Sequence, residues 1–541
     1  MAKASDTATG SSRIFVRDAT GLVREVSWLD AAMYNMIWAS IPLAIAFLLL
    51  FGPAFYTGGN LYLAVILAFA FTVSTGFLYA MMSSSIPRSG GDYTWITRAV
   101  APPVGLMSNL SWNFWITFFI GLYAAFTTAY GISPLLRLWA AEFESPGLLD
   151  AADWLVSRAG TMTVGIVVVL LGAVLLAFGR GMRTFLRLQR WAFIVWFLGA
   201  IIVPIIIMLV TSQETIQTRF DGYVTALGGP SGASQIVLEA DAGTGAAPFS
   251  FTQSILMVTL PFYTLAFIFQ SVYFGGEIKR GKRSNLLSIP GAHAVAAICL
   301  LLAAFAFLQS AGRDMLAGLG LADPASYGLA FTPLYTELAA ITSGNWIIGS
   351  IIILGFTAML IIFVPQTMLQ LSRNIFAWSF DRLLPEKVAE VNPRTHSPVV
   401  AVMVITVLGI ISVVIISLNP QLTFLVGLFG LALTYLTVAV AGITFPYRKR
   451  EVFEASPYNG RIGGVPIITL VGVLSLLTMG TAMAILLLDP NSGTHWDLNT
   501  NRVLLGAGIF LAGLPLYYVI RAIQRARGVD IELAYREVPP E

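Results

Sequence analysis

The chain has 541 residues, of which 57% are hydrophobic and only 11% are charged. Ordinary soluble proteins carry charge on about a quarter of their residues, so this composition excludes that class. The three His and one Cys are scattered, and the sequence has no glycine-rich phosphate loop or nucleophile elbow. The sequence therefore predicts no enzyme, no metal site and no cofactor.

Apolar stretches of about 18 or more residues recur along the chain, each long enough to cross a hydrocarbon core of about 30 Å as a helix. They are apolar on all sides, whereas the strands of a membrane β-barrel would alternate. The sequence predicts an all-α integral membrane protein with twelve transmembrane helices, over residues 31–51, 61–86, 104–133, 161–178, 191–211, 252–275, 289–309, 346–372, 398–418, 421–445, 465–488 and 501–522.

Basic residues are distributed unevenly between the two sets of loops. Of the 31 Lys and Arg residues, only five lie in the loops of one set or at a helix end that borders them: Arg137, Arg158, Arg219, Arg313 and Arg502. Because cytoplasmic loops are the basic ones, we predict a multi-pass protein of the cell membrane with both termini in the cytoplasm. The basic loops are interpreted as topology signals and lipid headgroup contacts, not as a nucleic-acid site.

Two long connections, 212–251 and 310–345, fall on the predicted outer side and are interpreted as loops or lids. The Gly- and Ser-rich run from Gly228 to Ala233 predicts irregular structure in the first. Leu148 to Val156 has helical spacing and predicts a short amphipathic helix on the outer surface.

Two prolines lie inside predicted membrane helices at matching places, Pro42 in helix 1 and Pro261 in helix 6. A proline removes one backbone donor and clashes with the carbonyl four residues earlier, so each helix is expected to break or kink there. Breaks at matched positions of two inverted halves are typical of a solute site near the middle of the membrane.

Three segments between the predicted helices carry a family resemblance. Ser85 to Tyr93 reads S-I-P-R-S-G-G-D-Y, and Gly276 to Lys279 reads G-E-I-K. Ser372 to Pro385 reads S-R-N-I-F-A-W-S-F-D-R-L-L-P and is followed by Asn392 to Val399. These segments resemble those of the amino acid, polyamine and organocation permeases in their order, in their spacing and in the side of the membrane on which they lie. The resemblance covers roughly residues 20 to 525.

The resemblance implies the leucine-transporter-like fold, a five-plus-five inverted repeat with two peripheral helices. The first repeat would cover residues 31–211, the second 252–445 and the peripheral helices 446–522, with residues 1–30 and 523–541 in the cytoplasm. It also implies a central site between helices 1, 3, 6, 8 and 10, with alternating access from the two sides.

The chain departs from the family at the two helix breaks. Ile41, Pro42 and Leu43 stand where the family has the glycines whose amides hold a substrate carboxylate, and an alternative register would use Ala39 and Ser40. Phe267 stands where helix 6 usually has a glycine. Phe267 or Phe269 is interpreted as a gate over the solute or, alternatively, as an ordinary apolar contact.

Combining the breaks with the resemblance gives the candidate site. The predicted substrate-binding residues are Trp38, Ala39, Ser40, Ile41, Asn109, Asn113, Phe267, Gln270 and Gln366. Asn109 and Asn113 share a helix face that either lines the pathway or forms a hydrogen-bonded seam between helices. The predicted gating residues are Phe267, Phe269, Glu277 and Arg373.

We find no charged residue at mid-depth in the predicted helices, which favours a neutral or zwitterionic solute. The leading prediction is a secondary transporter for an amino acid or a related amine. A permease for polyamines, nucleobases or another small organic solute, and a transport-inactive membrane sensor, stay open as alternatives. Residues Arg190 to Trp196 lack the coupling lysine of some relatives, so the sequence predicts no particular coupling ion, and it sets no oligomeric state.

Overall fold

A computed structural model describes residues 24–177, 182–241, 243, 247–279, 281–392, 397–419 and 425–536. Residues 1–23 of the predicted N-terminal segment, 393–396 of the third family segment and 537–541 of the predicted tail lie outside these ranges.

The described chain is built almost entirely of α-helices. They are α1 Trp28–Trp38, α2 Ile41–Phe55, α3 Leu61–Ser85, α4 Asp92–Ala99, α5 Pro102–Phe126, α6 Ser133–Phe143, α7 Pro146–Val156, α8 Arg158–Ala177, α9 Met182–Trp196, α10 Val203–Val210, α11 Gln213–Ala226, α12 Ala233–Ala240, α13 Phe251–Leu256, α14 Thr259–Leu265, α15 Gly281–Ser310, α16 Gly312–Leu321, α17 Tyr335–Ser343, α18 Trp346–Phe380, α19 Val399–Leu418, α20 Leu425–Arg448, α21 Arg450–Glu454, α22 Ile467–Leu488 and α23 Thr500–Ala526.

Shorter elements interrupt or connect these helices. The π-helical turns are Thr127–Ile132 and Phe197–Ile202, and the 3-10 turns are Gln270–Tyr273, Gly275–Glu277, Pro324–Tyr327, Glu386–Ala389 and Ile531–Tyr535. One antiparallel pair of two-residue strands, β1 Arg461–Ile462 and β2 Val465–Pro466, forms a small hairpin.

Eleven helical stretches of the described chain are long and apolar enough to cross a membrane. They coincide with eleven of the twelve predicted spans, so the prediction of an all-α membrane protein is confirmed. The exception is predicted helix 6, residues 252–275, where the apolar helical stretch Phe251–Leu265 is too short to be counted as a span. The count of twelve and the inverted repeat stay predictions.

The two long connections are more helical than predicted. Residues 212–251 contain α11 and α12, and in the part described the turn around Gly228 to Gly232 and residues 247–250 are irregular. The flanks fold because α11 buries one apolar face, with Ile216, Phe220 and Val224 inside. The helix predicted at Leu148 to Val156 is confirmed as α7.

Both described chain ends lie at one end of the helix bundle, which we call the terminal face. Near the N-terminus, the amide of Val26 donates to the carbonyl of Glu277 at 3.0 Å. Near the C-terminus, Tyr535 packs against Tyr93 at the start of α4. We call the opposite end, which carries α7, α11 and α17, the vestibule face.

Candidate functional site

The first membrane helix is interrupted near its middle. α1 ends at Trp38, Ser40 adopts a left-handed backbone with φ 49° and ψ 47°, and α2 begins at Ile41. Pro42 explains the break, because it has no N–H and its ring would collide with the carbonyl of Trp38 in a continuous helix. The break predicted near Pro42 is thus present, and the turn itself consists of Ala39 and Ser40.

The predicted sixth helix is interrupted twice. A turn at residues 257–258 separates α13 from α14, and residues 266–269 then connect Leu265 to the 3-10 turn Gln270–Tyr273. Pro261 accounts for the first interruption, because it withdraws the N–H that the carbonyl four residues earlier would accept. The break expected at Pro261 therefore lies four residues before it, and the longer opening comes after α14.

The interrupted regions of the first and the sixth helix meet at a small cavity. α2 packs against α14, and α1 packs against the turn Gln270–Tyr273. The cavity has a volume of about 20 Å³, enough for about one water molecule. Its lining carries no charged side chain and consists of Trp38, Ala39, Ser40, Leu43, Ala44, Phe47, Phe119, Tyr123, Tyr263, Thr264, Phe267 and Phe363.

Aromatic rings close this cavity on several sides. Tyr123 stacks on Phe363 with ring centroids 3.5 Å apart, and Trp38 lies 4.9 Å from Phe363 and 6.3 Å from Phe267. The hydroxyl of Tyr123 donates to Oγ of Ser40 at 2.5 Å. The turn in helix 1 is therefore tied by a hydrogen bond to α5, and a solute larger than water requires these rings to move.

A larger cavity of about 580 Å³ opens toward the vestibule face and shares Phe47 and Tyr263 with the small cavity. We call it the vestibule. Its walls are mostly apolar, and the rings of Phe47, Phe51 and Phe55 stack along α2 at 5.4 and 5.6 Å. The small cavity is thus approached from this face.

Glu337 of α17 is a buried carboxyl group on the vestibule side. The hydroxyl of Tyr223 donates to it at 3.3 Å, and Arg137 lies close enough to attract it. Burial raises the pKa of Glu337 to about 7, although Arg137 and Tyr223 oppose the shift.

The terminal face is closed by a buried ion pair between predicted gating residues. Nε and Nη2 of Arg373 in α18 lie 2.7 and 3.2 Å from the two carboxylate oxygens of Glu277. Both side chains are at most 3% exposed. Because Glu277 follows the interrupted helix, the pair fastens that segment to α18.

The terminal face holds a second buried ion pair. Both terminal nitrogens of Arg98 in α4 lie 2.7 Å from the carboxylate oxygens of Asp381 at the end of α18. The ring of Tyr535 covers the guanidinium at 5.1 Å, and its hydroxyl lies 3.3 Å from that of Tyr93. The C-terminal 3-10 turn therefore seals this pair from water.

A family model described as amino acid permease matches residues 31–510. The chain belongs to the amino acid permease family. The search of curated proteins finds no match. Membership gives the chain a permease role in a membrane and points to a transporter rather than an enzyme, with a small-molecule solute.

The glycines of the first family segment have a structural role in this permease. Gly90 has φ 90° and Gly91 has φ 51°, a region that residues with a side chain rarely adopt. A Cβ on Gly90 would lie 2.5 Å from Cβ of Ala377, and the amide of Gly90 donates to the carbonyl of Tyr273 at 2.9 Å. The glycines thus allow this loop to pair with the interrupted helix.

The structure brings part of the predicted binding set together. Trp38, Ala39, Ser40 and Phe267 line the small cavity, whereas Ile41 is buried beside it without lining it. Phe269, the other predicted gate, packs against Tyr79 with ring centroids 4.0 Å apart.

The predicted amide residues lie in buried hydrogen-bonded pairs instead. Gln370 donates to Gln270 at 3.0 Å, and Gln366 donates to Gln189 at 3.1 Å. Asn113 donates to Asn109 at 3.1 Å, and the seam continues to Asn374 and Trp378. Of the two interpretations of the Asn pair, this arrangement favours the seam between helices, and roles in solute binding stay predictions.

Sequence reasoning missed the ring system around Tyr123. Phe119 and Tyr123 are four residues apart on α5, so they share a face, and that spacing was a usable signal. The sequence signal for Phe363 was weaker: it lies two residues before Pro365, the proline inside α18.

Proposed function

We propose that this permease is a secondary transporter that moves an amino acid, or a closely related amine, by alternating access. The observation that carries the proposal is the cavity between two interrupted helices, open toward the vestibule face and closed toward the terminal face by two buried ion pairs. Such a site exposed to one side at a time is what alternating access requires. We further propose that the terminal face is cytoplasmic.

The helix ends at the cavity favour a zwitterion. The start of a helix carries partial positive charge and its end partial negative charge. α2 starts at Ile41, while α1 and α14 end at Trp38 and Leu265. A solute carboxylate would therefore lie near the amides of Ile41 and Leu43, since Pro42 has none, and its ammonium near the carbonyl ends.

A cationic amine without a carboxylate is the second candidate. The rings of Trp38, Phe119, Tyr123, Phe267 and Phe363 surround the cavity, and aromatic faces attract ammonium groups. This observation favours a polyamine over a nucleobase or an organic acid.

Thermal stabilisation of the purified protein distinguishes these candidates. A ligand at about 100 times its dissociation constant stabilises the folded state by roughly 2.7 kcal/mol. We expect selected amino acids to raise the melting temperature, while polyamines, nucleobases and organic acids at equal concentration leave it unchanged. A shift with polyamines alone would identify the cationic amine, and not the amino acid, as the solute. A shift with nucleobases alone would contradict both candidate solutes.

A further inference from the structure

Within the part of the chain that the structure describes, Asp92 is a carboxylate buried without a positive partner. Oδ2 accepts hydrogen bonds from the hydroxyls of Tyr273 at 2.6 Å and Tyr79 at 3.2 Å, and Oδ1 accepts from Asn109 at 3.3 Å. The side chain is 0% exposed. Among the described residues no Lys or Arg pairs with it, in contrast to Asp381, which Arg98 neutralises.

The groups that face Asp92 come from four packed elements. They are Tyr79 of α3, Asn109 of α5, the Gln270–Tyr273 turn through Tyr273, and Tyr435 of α20. The four charged side chains of the two buried ion pairs on the terminal face are already paired, Arg98 with Asp381 and Glu277 with Arg373. Burial raises the pKa of Asp92 to about 6, although the hydrogen bonds from Tyr273 and Tyr79 lower it.

Asp92 holds the segment that must move when the terminal face opens. Tyr273 belongs to the part of the predicted sixth helix that continues after its break as 3-10 turns. It lies four residues before Glu277, the predicted gating residue. The loop before Asp92 is also attached to this part, through a bridge between Ser89 and Phe274. If this part moves away from α4 when the terminal face opens, Asp92 loses its hydrogen bond from Tyr273 and meets water.

Two barriers isolate Asp92 from the two faces. Toward the small cavity, Phe267 lies 6.0 Å from Trp112, whose ring stacks on Tyr273 at 5.8 Å. Toward the terminal face, the neighbouring Tyr93 is covered by the C-terminal Tyr535. The two barriers consist of different residues, so one could open while the other stays closed, and Asp92 would then meet water from one side at a time.

We propose that Asp92 binds the proton that accompanies each solute, taking it from the vestibule side and releasing it at the terminal face. The inference rests on the proposed function and adds its coupling ion. One O–H bond forms at Oδ2 with a proton from water, and the same bond breaks when the proton returns to water. Burial favours the protonated form and hydration favours the carboxylate, so opening drives the release.

Tryptophan fluorescence tests the titration without any solute. Trp112 stacks on Tyr273, and Trp378 donates to Asn109 at 2.9 Å, so both report on the charge of Asp92. The full-length protein should show a transition near pH 6 that Asp92→Asn abolishes. Tyr273→Phe removes a hydrogen bond to the carboxylate and should move the midpoint to higher pH. Glu337→Gln, the matched buried carboxyl group on the vestibule side, should leave this transition in place.

Proteoliposomes test the coupling. With a labelled amino acid mixture and acid outside, we expect accumulation severalfold above the level without a pH gradient in the unchanged protein and in Glu337→Gln. Asp92→Asn should lose this accumulation while exchange of internal for external amino acid continues, independent of pH. Gradient-driven accumulation by Asp92→Asn, or a fluorescence transition unaffected by both Asp92→Asn and Tyr273→Phe, would overturn the proposal. Absence of uptake and exchange in the unchanged protein would instead overturn the proposed function.

Discussion

Replacing Arg373 by Met is expected to lower the free energy of unfolding by about 3 to 5 kcal/mol, because Glu277 is then buried without its partner. Both side chains are at most 3% exposed, so water cannot replace the lost contacts. Thermal melting of the purified variant measures the loss. The same change releases the interrupted helix from α18, and labelled solute should then leak through the terminal face of reconstituted protein.

Two variants control this prediction. Replacing both Glu277 and Arg373 by Met removes both charges and should recover most of the stability without restoring the gate. Arg461→Met breaks an exposed pair with Glu454, whose side chains are both 44% exposed, and should cost less than about 1 kcal/mol. A loss for Arg373→Met no larger than that for Arg461→Met would contradict the role given to the buried pair.

Replacing Ser40 by Val is expected to weaken solute binding at least about tenfold, which corresponds to about 1.4 kcal/mol. Ser40 has a left-handed backbone at the helix 1 turn and accepts the hydroxyl of Tyr123 at 2.5 Å. Valine is branched at Cβ, so it disfavours this backbone, and it cannot accept the hydrogen bond. Apparent affinity is measured as the solute concentration that gives half of the maximal thermal shift.

Two milder variants separate the backbone from the hydroxyl. Ser40→Gly keeps the left-handed turn, and Tyr123→Phe keeps the ring on Phe363, so each should weaken binding only a few-fold, in line with one hydrogen bond of about 1 kcal/mol. If Ser40→Val binds the solute as tightly as the unchanged protein, at comparable folded yield, the solute does not bind at this turn.

Hydropathy predicted the membrane helices because a span must be long and apolar to cross lipid. It could not reveal that residues 257–258 and 266–269 are not helical, since they are as apolar as their neighbours. The helix α11 was not predicted, because the Gly- and Ser-rich run that follows it obscures the helical spacing of Ile216, Phe220 and Val224.

The site was predicted where the signal is local and missed where it is long-range. Pro42 marks its own break, and so Trp38, Ala39 and Ser40, which line the small cavity, could be named from the sequence; their role in binding stays a prediction. Asp381 lies in one family segment and Arg98 lies shortly after another, but the two residues are 283 positions apart, and only the folded chain makes them partners. The same holds for Asp92, whose partners come from separate elements.

Uptake into proteoliposomes tests the central claim most directly. The protein is reconstituted with unlabelled amino acids inside, and entry of the labelled amino acid that stabilises it best is followed with time. If the protein is the proposed transporter, uptake is saturable, internal amino acid accelerates it, and liposomes without protein show none. Binding in the thermal assay without any such uptake would contradict it and indicate a membrane sensor with the same fold.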